Sequence, residues 1–303
     1  MALKKRGDRT RQRKEGDMLA SWLMLTPMLV IFTLFFILPL LYTIFYSFTD
    51  WNNYSLGIKF TGLQNYKNIL KDSTLLIGIK NSLIYAFVTV LLQNVISLPV
   101  AVVLSSKLPA RNFFRTLFFT PSVLSILVIG YLFSYILSSD NFGLMNTLLN
   151  SIGMGPINFL GSSDTALASI IGTQVWQWFG WSMVIYIANL QNIPQDFYEA
   201  ARLDGASAIQ QFFHITLPNL APSLKINLIT GMISGLKVFD IVFSLTQGGP
   251  GNSTETILTL MFSKFSDGDY GYASAFGIAF LVITMLLTVV VLGIFNKWEK
   301  RLQ

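Results

Sequence analysis

Six apolar runs, each long enough to cross a bilayer as a helix, constrain this chain more than any other feature. They fall at 21–48, 78–105, 116–137, 165–191, 223–245 and 271–295, and the hydrocarbon layer needs about 20 apolar residues per helical crossing. Hydrophobic residues make up 52% of the 303 and charged residues only 12%, with a mean hydropathy of +0.56. A soluble domain carries about twice that share of charge. The first run follows a basic stretch, as in a signal peptide. It is longer than a signal core and lacks a small-residue cleavage site followed by a soluble domain, so it is expected to stay as an anchor. The expectation is an all-α polytopic membrane protein with six transmembrane helices.

Charge distribution then predicts the orientation. Fifteen of the 21 Lys and Arg residues fall on one side if the chain starts in the cytoplasm. Lys4, Lys5, Arg6, Arg9, Arg11, Arg13 and Lys14 precede the first run, and Lys107, Arg111 and Arg115 join the second to the third. Arg202 and Lys225 lie between the fourth and fifth, and Lys297, Lys300 and Arg301 close the tail. The connection between the third and fourth runs holds no Lys or Arg. This positive-inside pattern predicts an N-in, C-in topology. The net charge of +6 therefore reports topology. A nucleic-acid-binding arm is the weaker reading of the basic N-terminus, because no recognition module accompanies it.

With no cysteine, the chain has no disulfide and no thiolate metal site, and the single His214 cannot form a histidine cluster. Two domains are expected: a basic cytoplasmic segment at 1–20 and one membrane domain at 21–303. The first outer connection, 49–77, spaces Trp51, Phe60, Leu63, Tyr66 and Ile69 as a short amphipathic helix at the outer surface would. The inward connection at 192–222 is patterned instead of loop-like. Pro194-Gln195-Asp196 is a helix start, Phe197, Ala200, Ala201 and Leu203 follow at helical spacing, and Gly205 ends the helix. A second helix is expected through Ile209, Phe212 and Phe213 up to Pro218. Helix–glycine–helix without spanning length, on the cytoplasmic face, calls for a protein partner.

That segment carries the decisive motif: Glu199-Ala200-Ala201-Arg202-Leu203-Asp204-Gly205, continuing to Ile215-Thr216-Leu217-Pro218. It resembles the EAA loop of ABC-importer permeases (Glu-Ala-Ala, three residues, Gly, nine residues, Ile-x-Leu-Pro) at every defined position. Leu245-Thr246-Gln247-Gly248-Gly249-Pro250 and Phe60-Thr61-Gly62-Leu63-Gln64-Asn65-Tyr66 are similar to elements of the MalF-like carbohydrate class, over nearly the whole chain. The chain departs from the maltose permease in lacking extra N-terminal helices and a large outer domain. The resemblance implies the type I importer permease fold in a bacterial-type cytoplasmic membrane, with 192–222 as the coupling loop. Glu199, Ala200, Ala201, Arg202, Asp204 and Gly205 would then form the ATPase-coupling helix. It further implies a second homologous permease, two copies of an ABC ATPase that bind the ATP and Mg, an extracytoplasmic sugar-binding protein, and a di- or oligosaccharide cargo. No cofactor and no catalysis are expected in this chain, which has no phosphate-cradling Gly-x-x-x-x-Gly-Lys-Ser/Thr and no Gly-x-Ser-x-Gly elbow.

Rare polar groups inside the spans supply the candidate cargo site. Lys237 and Asp240 are three apart, so a continuous helix puts them on one face, as an ion pair or as ligands of sugar hydroxyls beside Phe239. The fourth run carries Gln174, Trp176, Gln177, Trp178, Trp181 and Asn189. Trp178 and Trp181 lie deeper than an interfacial aromatic belt requires, and Gln177 is polar at membrane depth, so a substrate role is open to this group. Gln93 and Asn94 fit hydrogen bonds between helices, and Gly231/Gly235 with Ala273/Gly277 fit close helix packing. A permease for glycerol 3-phosphate shares the motifs but would need more cations than Lys237 at the cavity. A self-sufficient secondary transporter would carry coupling acids and inverted repeats. An intramembrane enzyme would need a catalytic pair. The last two readings leave the Glu-Ala-Ala segment unexplained.

Overall fold

The computed structural model describes residues 22–302 apart from 55, 107, 141 and 142. The basic residues of the 1–20 segment and Lys107 lie outside the described residues. The fold is all helical; the one β-feature among the described residues is a single bridge between Thr49 and Phe60.

The long elements follow the apolar runs. Helix α1 spans Trp22–Tyr46. A six-residue α2 (Gln64–Ile69) precedes α3 (Ser73–Ser105), whose first turn is capped by Asp72 accepting from the Thr74 amide at 2.9 Å. The third run forms α4 (Arg111–Phe119), a 3₁₀ turn (Thr120–Val123) and α5 (Ile126–Ile136), with the short α6 (Leu144–Ser151) beyond. Next come α7 (Ala166–Leu190), α8 (Gln195–Leu203), α9 (Ala208–Gln211), α10 (Ala221–Leu236), α11 (Asp240–Leu245), α12 (Ile257–Ser266) and α13 (Tyr270–Leu302).

Helix α3 is the hub, packed along its length by α7 and α10 and at its N-terminal end by α12. Glycine makes the α3–α10 contact possible. A Cβ on Gly235 would sit 2.7 Å from the Ala86 Cα, and one on Gly231 would sit 2.8 Å from a Val90 methyl. The Gly231/Gly235 spacing therefore serves packing within the chain. Tyr85, Ile129, Ile170, Val175 and Val242 belong to the largest buried cluster, at the junction of α3, α5, α7 and α11.

Two runs are broken where the sequence predicts continuous helix. Segments Arg111–Val123 and Ile126–Ile136 are bent by 99°, with Pro121 inside the intervening turn, where its ring cannot supply an amide to the preceding helix. The fifth run unwinds at 237–239, between α10 and α11. Exposed backbone inside a membrane must be satisfied by other parts of the protein. Here the Gln177 side-chain amide donates to the Leu124 carbonyl at 3.3 Å, and the Thr256 hydroxyl donates to the Val238 carbonyl at 3.1 Å. The segments that follow the breaks, α5 and α11, pack on each other.

Three described helices are long and apolar enough to cross a membrane, or four if the bent pair counts as one span. Helix α7 has 25 residues but carries Gln174, Gln177 and Ser182 among its apolar ones, and α10 has only 16 residues. The first outer connection also differs from the predicted interfacial helix. Ile69 is buried with Leu75, Leu260 and Phe276, and Asn65 donates to the carbonyls of Ser47 and Thr49. Trp51 sits between Tyr46 and Tyr270. The loop is clipped onto α13.

Candidate functional site: a polar cleft and a cytoplasmic turn

Three helices each turn a polar stripe toward one cleft of about 180 Å³. Helix α3 contributes Tyr85, Thr89 and Gln93, spaced by four; α7 contributes Gln174, Trp178, Trp181 and Ser182; α10 contributes Asn227, Thr230 and Ser234 beside the two glycines. Side chains three and four apart share a helix face, so the stripes follow from spacing once the helices are packed. No lining side chain is ionisable at neutral pH.

Four polar atoms at this cleft are buried and lack a hydrogen-bond partner: the Tyr85 hydroxyl, the Thr89 hydroxyl, the Gln174 carbonyl oxygen and the Trp178 indole nitrogen. A buried unpaired group costs about 1–3 kcal/mol, and four in one place mark a site awaiting donors and acceptors from elsewhere. On the α7 side, Asn227 donates to the Ser182 carbonyl at 3.2 Å, and the Tyr186 hydroxyl donates to Asn94, whose own amide donates to the Val90 carbonyl at 2.7 Å. Asn94 thus bonds between helices, whereas Gln93 lines the cleft.

The structure brings Trp178 and Trp181 into this cleft, 6.3 Å apart edge to face. Gln177 is fully buried at the neighbouring break instead, clamping Leu124 with its carbonyl oxygen left unpaired. Lys237, Phe239 and Asp240 do not line the cleft. Because the helix unwinds at 237–239, Lys237 and Asp240 do not share a helical face. Both are exposed, and no ion pair joins them among the described residues. Phe239 stacks with Phe243 and meets Phe262 at a tilt of 58°. Sequence reasoning missed Tyr85, Thr89 and Asn227; the four-residue spacing of 85/89/93 was the available signal for the first two.

The 192–222 segment is a second site, built on one turn. Helix α8 ends in a two-bond cap: the Ala206 amide donates to the Ala201 carbonyl at 2.9 Å and the Gly205 amide to the Arg202 carbonyl at 3.1 Å. This Schellman closure needs a left-handed residue, and Gly205 supplies it with φ +78°. Ser207 and Gln210 then form a reciprocal capping box that starts α9. The Tyr198 and Thr216 hydroxyls lie 3.0 Å apart and tie the two arms together. Glu199, Ala200, Arg202, Asp204 and Gly205 are exposed, and Ala201 is half-buried. Phe197, Leu203, Ile209 and Phe213 are 50%, 90%, 71% and 56% exposed. Apolar residues so placed on a polar segment mark a docking surface.

Behind α11, the Gln247–Asn252 turn has four left-handed residues, Gln247, Gly248, Gly251 and Asn252. It is held to α3 by Asn81, which donates to the carbonyls of Ser253 and Glu255. Burial pushes the Glu255 carboxyl up, opposed by the hydroxyl that Thr259 donates to it. No cluster of three or more metal-ligating side chains occurs among the described residues.

Residues 93–303 match the family described as binding-protein-dependent transport system inner membrane component. The chain belongs to this family. It is a multi-pass membrane permease of a binding-protein-dependent ABC system and not an enzyme. It is 37% identical to the "Probable ABC transporter permease protein YurN" of Bacillus subtilis over 92% of this chain and 97% of that one. It is 33% identical to the trehalose/maltose transport system permease protein MalF of Thermococcus litoralis, over 94% and 96%. Among solved structures, a chain of the bacterial alginate ABC transporter, in complex with an alginate pentasaccharide-bound periplasmic protein, superposes with a TM-score of 0.80. That match has 22% identity and covers 94% of this chain and 98% of the other. The fold is therefore that of ABC-importer permeases.

Proposed function

We propose that this permease carries a neutral di- or oligosaccharide through the α3–α7–α10 cleft, and that α8 couples this movement to a partner ATPase. The observation that carries the reading is the set of four unpaired buried polar atoms at one uncharged cleft. Sugar hydroxyls both donate and accept, so they can pair with the Tyr85 and Thr89 hydroxyls, the Gln174 carbonyl and the Trp178 N–H at once, while Trp181 offers a ring face. The uncharged lining argues against glycerol 3-phosphate, whose phosphate would enter without a cation. The cleft is smaller than the roughly 300 Å³ at which ligand pockets begin, which fits a path whose other half comes from a second, homologous permease.

On this reading the 21–303 domain crosses the membrane six times with both termini cytoplasmic, the 1–20 segment remains in the cytoplasm, and the third and fifth spans are the broken ones. Discontinuous spans at mid-depth are how transport sites expose polar backbone. Two copies of an ABC ATPase, which bind ATP and Mg, would take Glu199–Gly205 and the apolar residues around them; an extracytoplasmic sugar-binding protein would deliver cargo. This chain forms and breaks no covalent bond; its residues bind, orient and transmit.

The test is uptake by cells carrying cleft variants. Each lost hydrogen bond is worth about 0.5–1.5 kcal/mol, so Tyr85→Phe and Gln174→Leu are each expected to weaken cargo-stimulated ATPase activity by roughly three- to tenfold, with membrane levels unchanged. The double variant should approach the product of the two losses. Wild-type stimulation in both would remove the cleft from the pathway. Lys237 and Asp240, at the break in the fifth span, would line the path beyond the cleft. Lys237→Ala is expected to alter cargo-stimulated ATPase activity about tenfold or more, as loss of one charged hydrogen bond would, without loss of assembly; unchanged kinetics would place it outside the pathway.

A further inference from the structure

The corner joining α3 to α4 carries features that transport does not use. On α4, Arg111, Phe114, Arg115 and Phe118 fall on one face by their three- and four-residue spacing. Phe114 and Phe118 form one wall of an apolar groove of about 330 Å³, and Pro99, Val100, Val103 and Leu104 of α3 form the other. Arg115 fixes the corner by donating from Nη2 to the Leu104 carbonyl at 2.6 Å, yet its Nε–H is buried without an acceptor. Arg111, one turn earlier, is exposed.

Among the described residues neither cation has a carboxylate partner. No Asp or Glu occurs between residues 73 and 139, nor within α7 or α10, so none of the elements packed around the groove can neutralise them. The 99° bend after α4 means that α4 and α5 cannot both run along the membrane normal. A short helix with arginines at its start and phenylalanines on the same face suits the boundary between headgroups and acyl chains.

We propose that this groove seats an acyl chain of an anionic phospholipid of the cytoplasmic leaflet, with its phosphate held by Arg111 and Arg115. Charge complementarity selects the occupant: apolar walls ending in two guanidiniums with no carboxylate partner among the described residues match an amphiphile with an anionic head, and guanidinium is the side chain best shaped to hold phosphate. The assignment rests on the N-in orientation proposed above.

The experiment uses the complete transporter, purified in neutral detergent and titrated with phosphatidylglycerol or phosphatidylcholine under native mass spectrometry. An arginine near a headgroup is worth about 1 kcal/mol, or roughly fivefold in affinity. Wild type is therefore expected to hold phosphatidylglycerol at least about fivefold more tightly than phosphatidylcholine. Arg111→Gln should erase most of that preference, and Val103→Trp, which fills the groove, should weaken both lipids together. Equal binding of the two lipids by wild type, or a preference untouched by Arg111→Gln, would overturn the proposal. Competition by inorganic phosphate would make this a free-anion site instead. If Val103→Trp releases the second permease while lipid binding persists, the groove is a subunit interface. Orientation is checked separately: the chain has no cysteine, so Ser106→Cys should react with an impermeant maleimide only from the cytoplasmic side. Labelling from outside would sink the topology itself, whatever the lipid result.

Discussion

Replacing Gly205 with valine is expected to abolish uptake while leaving the permease inserted at wild-type level. The reason is conformational. A Cβ at this position meets nothing within 4 Å, so no clash inside the chain follows from the substitution. The backbone, however, sits at φ +78°, where an L-residue loses about 1–2 kcal/mol and a β-branched one fares worst. That cost falls on the turn that fixes α8 against α9, since the Gly205 and Ala206 amides close the cap. A reoriented α8 carries Leu203 and Glu199 away from any docked ATPase. Asparagine tolerates the left-handed region, so Gly205→Asn should retain most of the activity. Uptake and ATPase co-purification, measured for both variants, separate a backbone requirement from a packing one. Normal uptake by Gly205→Val would remove the coupling assignment.

Gly180→Val should act through the opposite mechanism and prevent the chain from reaching a stable fold. A Cβ on Gly180 would lie 1.9 Å from the Phe118 carbonyl oxygen and 2.5 Å from its carbon. Both atoms are backbone and cannot rotate aside, so α4 must lift from α7. That movement separates Phe118 from Phe179 and Phe119 from Trp181, now 5.5 and 5.9 Å apart at their ring centres. Overpacking of this kind costs typically 1–3 kcal/mol and more when only backbone can yield, and we expect about 3 kcal/mol or more here. The readout is the yield of monodisperse permease and its melting temperature in detergent. Gly172, on the same helix, would place a Cβ in open space, so Gly172→Ala should be neutral or slightly stabilising, because alanine is the better helix former by about 1 kcal/mol. Equal behaviour of the two variants would mean that the α4–α7 contact is not close in the assembled transporter.

The two glycines also show how differently parts of this protein could be read from its residues. Gly205 was legible: small residues, a glycine and a proline at fixed spacing describe a local turn, and local turns depend on neighbours in the chain. The long helices were legible for a similar reason, since a run of about 20 apolar residues is helical wherever lipid surrounds it. Gly180 carried no such message, because its importance lies in a carbonyl 62 residues away.

The breaks divide in the same way. Pro121 is a local signal for the bend in the third run, one that the length of the apolar run overrode. Nothing in Lys237-Val238-Phe239 announced the second break, which is stabilised by Thr256 reaching the Val238 carbonyl from a distant loop. The expected Lys237–Asp240 face was therefore lost to a tertiary contact. The cleft lay between these extremes: the stripe of Tyr85, Thr89 and Gln93 is periodic in the sequence, but only the packing of α3 against α7 and α10 shows that these side chains meet Gln174, Trp178 and Asn227. By itself, then, the sequence determined the helical class, the glycine turn of the 192–222 segment and the family, all properties of residues close together in the chain or of their solvent. Tertiary structure alone decided which buried polar groups are paired and which are left open toward one cleft, because pairing depends on atoms brought together from helices far apart in the chain.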